Sequence, residues 1–253
     1  MSGTSKIEWT ERTWNPVTGC TKISAGCKYC YAESMAHRLK AMGTNGYENG
    51  FELSLMPERL SEPLNRRSPT IYFVNSMSDL FHEGVPDDYI EMIIEVISRT
   101  PQHTYQILTK RPERMVSFFE NRIIPKNAWL GVTVENEKEG KPRIDLLRQV
   151  KAHIRFLSIE PLLENVSPLN LSGINWVIVG GESGANARPM KGEWVESIKD
   201  DCQSYDVRFF FKQWGRYGAD GVARSKKANG RKFNGMTWDD MPNPSQYNGE
   251  IHD

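Results

Sequence analysis

The sequence has few cysteines, no long apolar run and no net charge. It holds four cysteines in 253 residues, too few for the disulfide framework of a small secreted scaffold. No apolar stretch approaches the roughly 18 residues of a membrane span. The opening MSGTSKIEWT carries no signal-peptide core, so the chain is expected in the cytoplasm, away from membranes. Thirty-two Lys and Arg balance thirty-two Asp and Glu. That balance excludes binding of nucleic acid by bulk attraction and leaves only a local basic patch open. Charged residues at 25% and hydrophobic ones at 38% exclude a wholly disordered chain. At about 150 residues per domain, the length fits one large domain or two small ones.

What is there is an alternation. Short apolar runs end in polar residues, and a helical or loop stretch follows each. Ile71-Tyr-Phe-Val-Asn75 runs into Ser76, Ser78 and Asp79. Val85-Pro-Asp-Asp then starts a helix with Tyr89, Ile90, Ile93, Ile94 and Ile97 on one face. Thr104-Tyr-Gln-Ile-Leu-Thr109 ends in Lys110 and Arg111, and Pro112 opens the next helix. Ala128-Trp-Leu-Gly-Val-Thr-Val134 ends in Glu135 and Asn136. His153-Ile-Arg-Phe-Leu-Ser-Ile159 ends in Glu160-Pro161, and Ile174-Asn-Trp-Val-Ile-Val179 in Gly180-Gly181-Glu182. Val207-Arg-Phe-Phe-Phe211 ends in Lys212, Gln213 and Trp214. Six such runs predict a parallel sheet covered on its faces, with a seventh strand near Ile7–Trp14. A (β/α) barrel or partial barrel fits this pattern, with a doubly wound open sheet as rival. Either version gathers ligand groups at the carboxyl ends of the strands. Residues 1–215 read as this barrel domain, with a cysteine loop at 19–31. Residues 216–253 read as a partly disordered C-terminal appendage. It carries Arg224, Lys226, Lys227, Arg231 and Lys232, is ordered by Phe233 and Trp238, and is frayed from 243 onward.

The strongest chemical signal is Cys20-Thr-Lys-Ile-Ser-Ala-Gly-Cys27-Lys-Tyr-Cys30. Thiolates are soft ligands for zinc or an iron–sulfur cluster. The Cys27–Cys30 spacing lets two of them reach one metal centre from a tight turn, with Gly19 and Gly26 allowing the backbone to wrap it. A closed site wants a fourth ligand. The remaining cysteine, Cys202, lies on an apolar helical face. Two readings follow: a coordination position left open for a small molecule, or a zinc-stabilised loop closed by His37 or Cys202.

At these residues the sequence resembles a radical S-adenosylmethionine (SAM) enzyme. That superfamily uses CxxxCxxC with an aromatic residue before the last cysteine. Here the ending is kept as Cys27-Lys-Tyr29-Cys30, and the first gap holds six residues instead of three. Ile7-Glu-Trp-Thr, Thr13-Trp-Asn-Pro-Val-Thr-Gly-Cys20, Gly26-Cys-Lys-Tyr-Cys-Tyr-Ala32, Gly180-Gly-Glu182 and Arg231-Lys-Phe-Asn-Gly-Met-Thr-Trp-Asp-Asp-Met-Pro242 are similar to a bacteriophage and prophage three-cysteine family of radical-SAM-like proteins. The resemblance implies a radical-SAM-type partial (β/α) barrel of about six parallel strands. It implies a [4Fe-4S] cluster on Cys20, Cys27 and Cys30, and SAM as the source of a 5′-deoxyadenosyl radical. An external electron donor and a DNA or nucleoside substrate go with it. The finer activity it implies is that of an isomerase in phage DNA hypermodification, rearranging a thymine adduct in the host cytoplasm. The rival function is a non-enzymatic metal-stabilised nucleic-acid-binding module, holding zinc or an Fe–S centre.

The strand ends have candidate roles, the first of them from the same resemblance and the rest from residue type, each beside a plain structural alternative. Asn75, Ser76, Ser78 and Asp79 correspond to a strand end that binds the methionine amino group, with Asp79 as ammonium acceptor; otherwise they form a polar helix start. Lys110 meets a carboxylate or phosphate, while Arg111 reads as a solvated charge. Glu135 and Asn136 would bond ribose hydroxyls or simply end a strand. Glu160 would position adenine or substrate, or sit in a buried salt bridge. Gly180-Gly181-Glu182 matches the radical SAM GGE motif in letters but lies at the sixth strand end instead of the second, so that role is not carried over; its glycines admit a ligand and Glu182 would face the pocket, or the stretch is a glycine turn with a surface glutamate. Lys212, Gln213 and Trp214 would contact substrate, Trp214 by stacking on a base, or they are a solvated lysine and a packed tryptophan. His82 reads as neither proton donor nor ligand. No residue is singled out as catalytic.

Overall fold

A computed structural model describes residues 5–244. Strand β1 is Arg12–Trp14. β2 (Val17–Thr18) and β3 (Ser54–Leu55) pair antiparallel as a separate ribbon. The main strands are β4 (Ile71–Val74), β5 (Thr104–Thr109), β6 (Ala128–Thr133), β7 (Ile154–Ile159), β8 (Trp176–Gly180) and β9 (Arg208–Gln213). The helices are α1 (Tyr31–Ala41), α2 (Asp87–Ser98), α3 (Pro112–Phe119), α4 (Arg143–Gln149), α5 (Gly192–Ser204) and the single turn α6 (Lys226–Asn229).

Seven strands form one sheet in the order β1-β4-β5-β6-β7-β8-β9, and every pairing in it is parallel. Each strand adds beside its predecessor, so the sheet curls one way into a half-barrel. Its edges, β1 and β9, do not pair among the described residues. The doubly wound rival is thereby excluded, because its order reverses at a switch point.

Successive side chains point to opposite faces, and both faces are buried. On the convex side Tyr72, Val74, Tyr105, Ile107, Leu130 and Val132 pack with Ile90, Ile93 and Ile97 of α2 and with Met115 and Phe118 of α3. On the concave side Phe73, Trp129, Phe156, Trp176 and Phe210 form a separate aromatic cluster. Burial on both sides is why the strands read as nearly unbroken apolar runs. Gly131 is fixed by this packing. A Cβ there would lie 2.6 Å from the ring of Phe156 on the next strand.

The predicted strand near Ile7–Trp14 survives only as β1. Thr10 N–H donates to the Ile7 carbonyl in a turn. Trp9 leaves the sheet and enters the concave cluster, edge-on to Phe73 and Trp176. The C-terminal segment packs along β9. Phe211 N–H donates to the Trp238 carbonyl at 3.0 Å, Asp239 bridges Phe210 antiparallel, and Trp176 Nε1–H donates to the Asp240 carbonyl at 2.8 Å. Of the stretch expected to fray, residues 245–253 lie outside the described residues. Among the described residues no helix is long and apolar enough to cross a membrane.

Candidate functional site

A cavity of about 450 Å³ opens at the carboxyl ends of the strands, beneath the cysteine loop. Cys20, Cys27 and Cys30 line it from above. Trp9, Phe73 and Leu108 give it an apolar floor, the upper limit of the concave aromatic cluster. Between floor and loop stand the polar strand ends: Asn75, Ser76, Ser78 and Asp79 after β4, Lys110 after β5, Ser158 and Glu160 from β7 onward, Glu182 after β8, and Lys212 and Gln213 on β9.

Local sequence shapes the loop. Gly19 has φ +77°, and a Cβ there would lie 2.1 Å from the Glu52 carbonyl oxygen. Its N–H donates to Met77 O at 3.1 Å, and the Cys20 N–H donates to Phe51 O at 3.1 Å. Ala25–Cys27 forms a 3₁₀ turn, and Cys30 precedes α1. Two buried clamps hold the loop from the sheet. In the first, Glu135, fully buried, accepts from Ser24 Oγ and from Arg143 Nη1 at 2.6 Å. Nearby, the Ala25 N–H donates to Glu139 Oε2 at 2.8 Å. Asn136 holds that turn by accepting from the N–H groups of Glu139 and Gly140. In the second, Arg111 reaches the loop from β5 and donates to Cys20 Sγ at 3.5 Å.

The electrostatics differ along the loop. Burial first, then the Asp79 carboxylate, pushes the Cys20 thiol up to about 11 against the opposing Arg111. Burial also pushes Cys27 up, but the Lys110 ammonium and hydrogen bonds from the 23–24 segment outweigh it, so that thiol lies below its ordinary value. His82 is lowered by burial and by Arg111. Its Nδ1 accepts the Gly84 N–H and its Nε2 meets Thr21 Oγ1 at 2.9 Å.

Several expected residues take different parts. Asp79 lines the cavity, but its oxygens already accept from Thr109 Oγ1 at 2.7 Å, Phe81 N, Lys110 N and Arg111 Nη1. A carboxylate has about four acceptor positions, so Asp79 anchors β5 and Arg111 instead of receiving an ammonium. Ser78 Oγ donates to Val17 O at 2.8 Å and pins β2. Ser76 Oγ donates to Asn15 Oδ1 at 3.2 Å. Glu135 and Asn136 do not line the cavity; they brace the loop from its other side. Trp214 is also outside it, packed on Phe211 and Phe233 with its Nε1–H donating to Lys232 O. Arg111 is buried, not solvated, at 8% exposure. Glu160 pairs with Lys212 at 3.1 Å. Glu182 takes a bidentate grip from Arg188, whose guanidinium lies 5.4 Å from the Tyr29 ring centre. Arg188 and Ser24 were not among the sequence candidates.

Three soft thiol donors line one cavity, a donor set whose chemistry suits an iron–sulfur cluster. Cys202 is 0% exposed in the α5 core, and His37 is exposed on α1 and does not line the cavity. Neither supplies a fourth ligand. Among the described residues no three His, Cys, Asp or Glu side chains gather closely enough to hold one metal ion. Three of the lining residues also carry a buried atom without a partner, the first being Trp9 Nε1 in the floor. Asn75, with φ +56°, has its Oδ1 bonded to the Val17 N–H and leaves Nδ2 buried without a partner; Gln213 leaves Oε1 in the same condition. An orphan donor and an orphan acceptor beside one cavity fit a polar ligand.

A family model described as "Protein of unknown function (DUF5131)" matches residues 4–242. No curated protein matches the sequence. Among solved structures, spore photoproduct lyase complexed with dinucleoside spore photoproduct is similar, with a TM-score of 0.48 at 15% identity over 86% of this chain and 69% of that one. A mutant of that lyase with bound AdoMet and dinucleoside spore photoproduct gives a TM-score of 0.46 at 15% identity, over the same shares of each chain, 86% and 69%. The likeness is one of fold.

Proposed function

The chain belongs to the DUF5131 family, and from that premise, with no activity inherited, we propose that it is a radical SAM enzyme. The observation that carries this reading is that three thiols share one cavity with the polar ends of the strands, and that among the described residues neither Cys202 nor His37 joins them there. Cys20, Cys27 and Cys30 would hold a [4Fe-4S] cluster, and SAM would complete the fourth iron. When bound, that pair supplies reductive cleavage of SAM and through it abstraction of hydrogen from an unactivated carbon.

The chain's own residues bind, orient and shield. Lys110 lines the cavity with its ammonium near Cys27, and in this reading it would meet a carboxylate or phosphate. Asn75 Nδ2 offers a donor and Gln213 Oε1 an acceptor. Glu160 and Lys212 pair at 3.1 Å in the cavity lining, and in this reading that pair would meet adenine or substrate. The Glu182–Arg188 pair, lying against Tyr29, ties the glycine turn after β8 to the cysteine loop. Trp9, Phe73 and Leu108 keep water from the floor, where a reactive species needs a dry wall. The finer reading is an isomerase acting on a thymine adduct in DNA, with an external electron donor. It is supported by the motif resemblance to the phage three-cysteine family.

Anaerobic reconstitution tests the class. The protein is expected to turn brown, to bind about four irons per chain and to lose them in Cys27→Ala. Reduced protein with SAM is expected to release 5′-deoxyadenosine. Colourless protein with one tightly held zinc would replace this reading with the metal-stabilised binding module. Mass analysis of DNA and nucleosides treated with and without SAM tests the substrate.

A further inference from the structure

Arg111 is the residue whose surroundings ask for more than a solvated charge. Its guanidinium has five N–H donors, and each has an acceptor. Nε–H donates to Glu83 Oε2 at 2.9 Å. Nη2 donates to Thr21 O at 3.2 Å and to Thr21 Oγ1 at 2.8 Å. Nη1 donates to Asp79 Oδ2 at 3.3 Å and to Cys20 Sγ at 3.5 Å. Asp79 is itself fixed by Thr109 Oγ1 and the Phe81 and Lys110 N–H groups. The plane of the guanidinium is therefore set by four other bonds, and the N–H aimed at sulfur follows from that plane. Other polar contacts to the loop sulfurs differ: the Cys20 thiol itself donates to Thr21 O at 3.5 Å, and backbone groups of Ile23 and Ser24 reach Cys27. Ser24 Oγ lies 3.6 Å from Cys27 Sγ, but its hydrogen goes to Glu135.

We propose that Arg111 is a positioning residue that raises the reduction potential of the cluster through its hydrogen bond to the Cys20 sulfur. The inference rests on the cluster reading above. A donor at a cluster sulfur draws off negative charge, and reduction adds negative charge, so the bond is stronger in the reduced state. A cationic donor strengthens that preference. The carboxylates of Asp79 and Glu83 face the same guanidinium and partly offset its charge; the directed N–H remains. The couple concerned is one electron entering the cluster, from its 2+ to its 1+ state. Dithionite supplies that electron in the titration.

The test is a potentiometric titration followed by the electron paramagnetic resonance of the reduced cluster, on reconstituted wild type, Arg111→Met and Arg111→Lys. Iron content is measured on each. The midpoint of Arg111→Met is expected to move to more negative potential, with Arg111→Lys between it and wild type. Lysine keeps the charge but cannot reproduce the five-bond fork. A residue that merely tethers the loop would lower iron retention while the loaded fraction titrates at the wild-type midpoint, and that result overturns the proposal. If Arg111→Met holds no iron, Arg111→Lys decides alone: a negative shift supports the proposal and an unchanged midpoint ends it. Failure of the wild type to bind a four-iron cluster overturns both this inference and the cluster reading, and it is seen before any variant is titrated.

Discussion

Glu135 takes its role from a residue 111 positions away: its carboxylate receives Ser24 Oγ on one side and Arg143 on the other. In the sequence it reads as an acid at a strand end, free to meet a ribose. Arg111 was misread for the same reason. Lys-Arg-Pro looks solvated until Asp79 and Cys20 are brought to it by the sheet. The cysteines were legible because their chemistry lies in one short segment; the residues that hold them were not, because every contact is long-range. Glu135→Gln leaves Arg143 buried without its counter-charge. A loss of about 3 kcal/mol is expected, as for other broken buried pairs, together with weaker iron retention; urea unfolding and iron analysis would show both. His103 carries a pH effect. It is buried, its Nε2–H donates to the Pro63 and Arg66 carbonyls, and burial holds its pKa below the ordinary value. As pH falls below about 6.5, the unfolded chain takes up this proton before the folded one does. The stabilisation is therefore complete above that pH and is lost on acidification. The urea midpoint is expected to fall between pH 7.5 and 5.5. His103→Gln should flatten the change in part, since His82 titrates in the same sense. An unaltered slope in that variant would refute the assignment.

At the level of elements the sequence was more candid. Apolar runs marked six strands, and the 3.6-residue spacing of Tyr89, Ile90, Ile93, Ile94 and Ile97 marked the inward face of α2, where Ile94 is only partly buried and Val96 is buried as well. Periodicity reports a face, and both faces of these strands are covered. Periodicity does not report which way a lone tryptophan turns. Trp9 leaves the predicted first strand because the concave side has room for one more aromatic ring, and the Gln106 Nε2 donates to its carbonyl at 3.1 Å. Gly131 marks the opposite limit, where neighbouring strands leave no room at all. Gly131→Ala is expected to cost roughly 1–3 kcal/mol, the range for overpacked cores, because the new Cβ meets the Phe156 ring. Shortening that ring by Phe156→Leu should relieve part of the cost, so the double variant is expected to be more stable than the sum of the two single losses implies. Strict additivity in a denaturant cycle would show that the two side chains do not meet.

For the whole molecule the question is how a half-barrel whose two edge strands do not pair with each other keeps its concave aromatic cluster buried. β1 and β9 do not close the sheet, and sequence reading left closure undecided because pairing between the first and last strands leaves no local signature. Segments from both ends of the described chain cover the opening. Trp9 enters from one side, and Trp238–Asp240 bonds to β9 and Trp176 from the other. Glu8 and Lys226 join the two segments at 2.9 Å. The residues after 215 thus serve the barrel's core. Phe233 is buried against Phe211 and Trp214. If the appendage were a unit of its own, Phe233→Ala would loosen it and leave the barrel's unfolding unchanged. Because its rings continue the convex core, the expected outcome is one cooperative transition shifted by about 3 kcal/mol. Tryptophan fluorescence and far-ultraviolet circular dichroism should share its midpoint. Two separated transitions would mean that the appendage folds apart from the barrel, and the dry floor of the cavity would then have to be explained by the sheet and Trp9 alone.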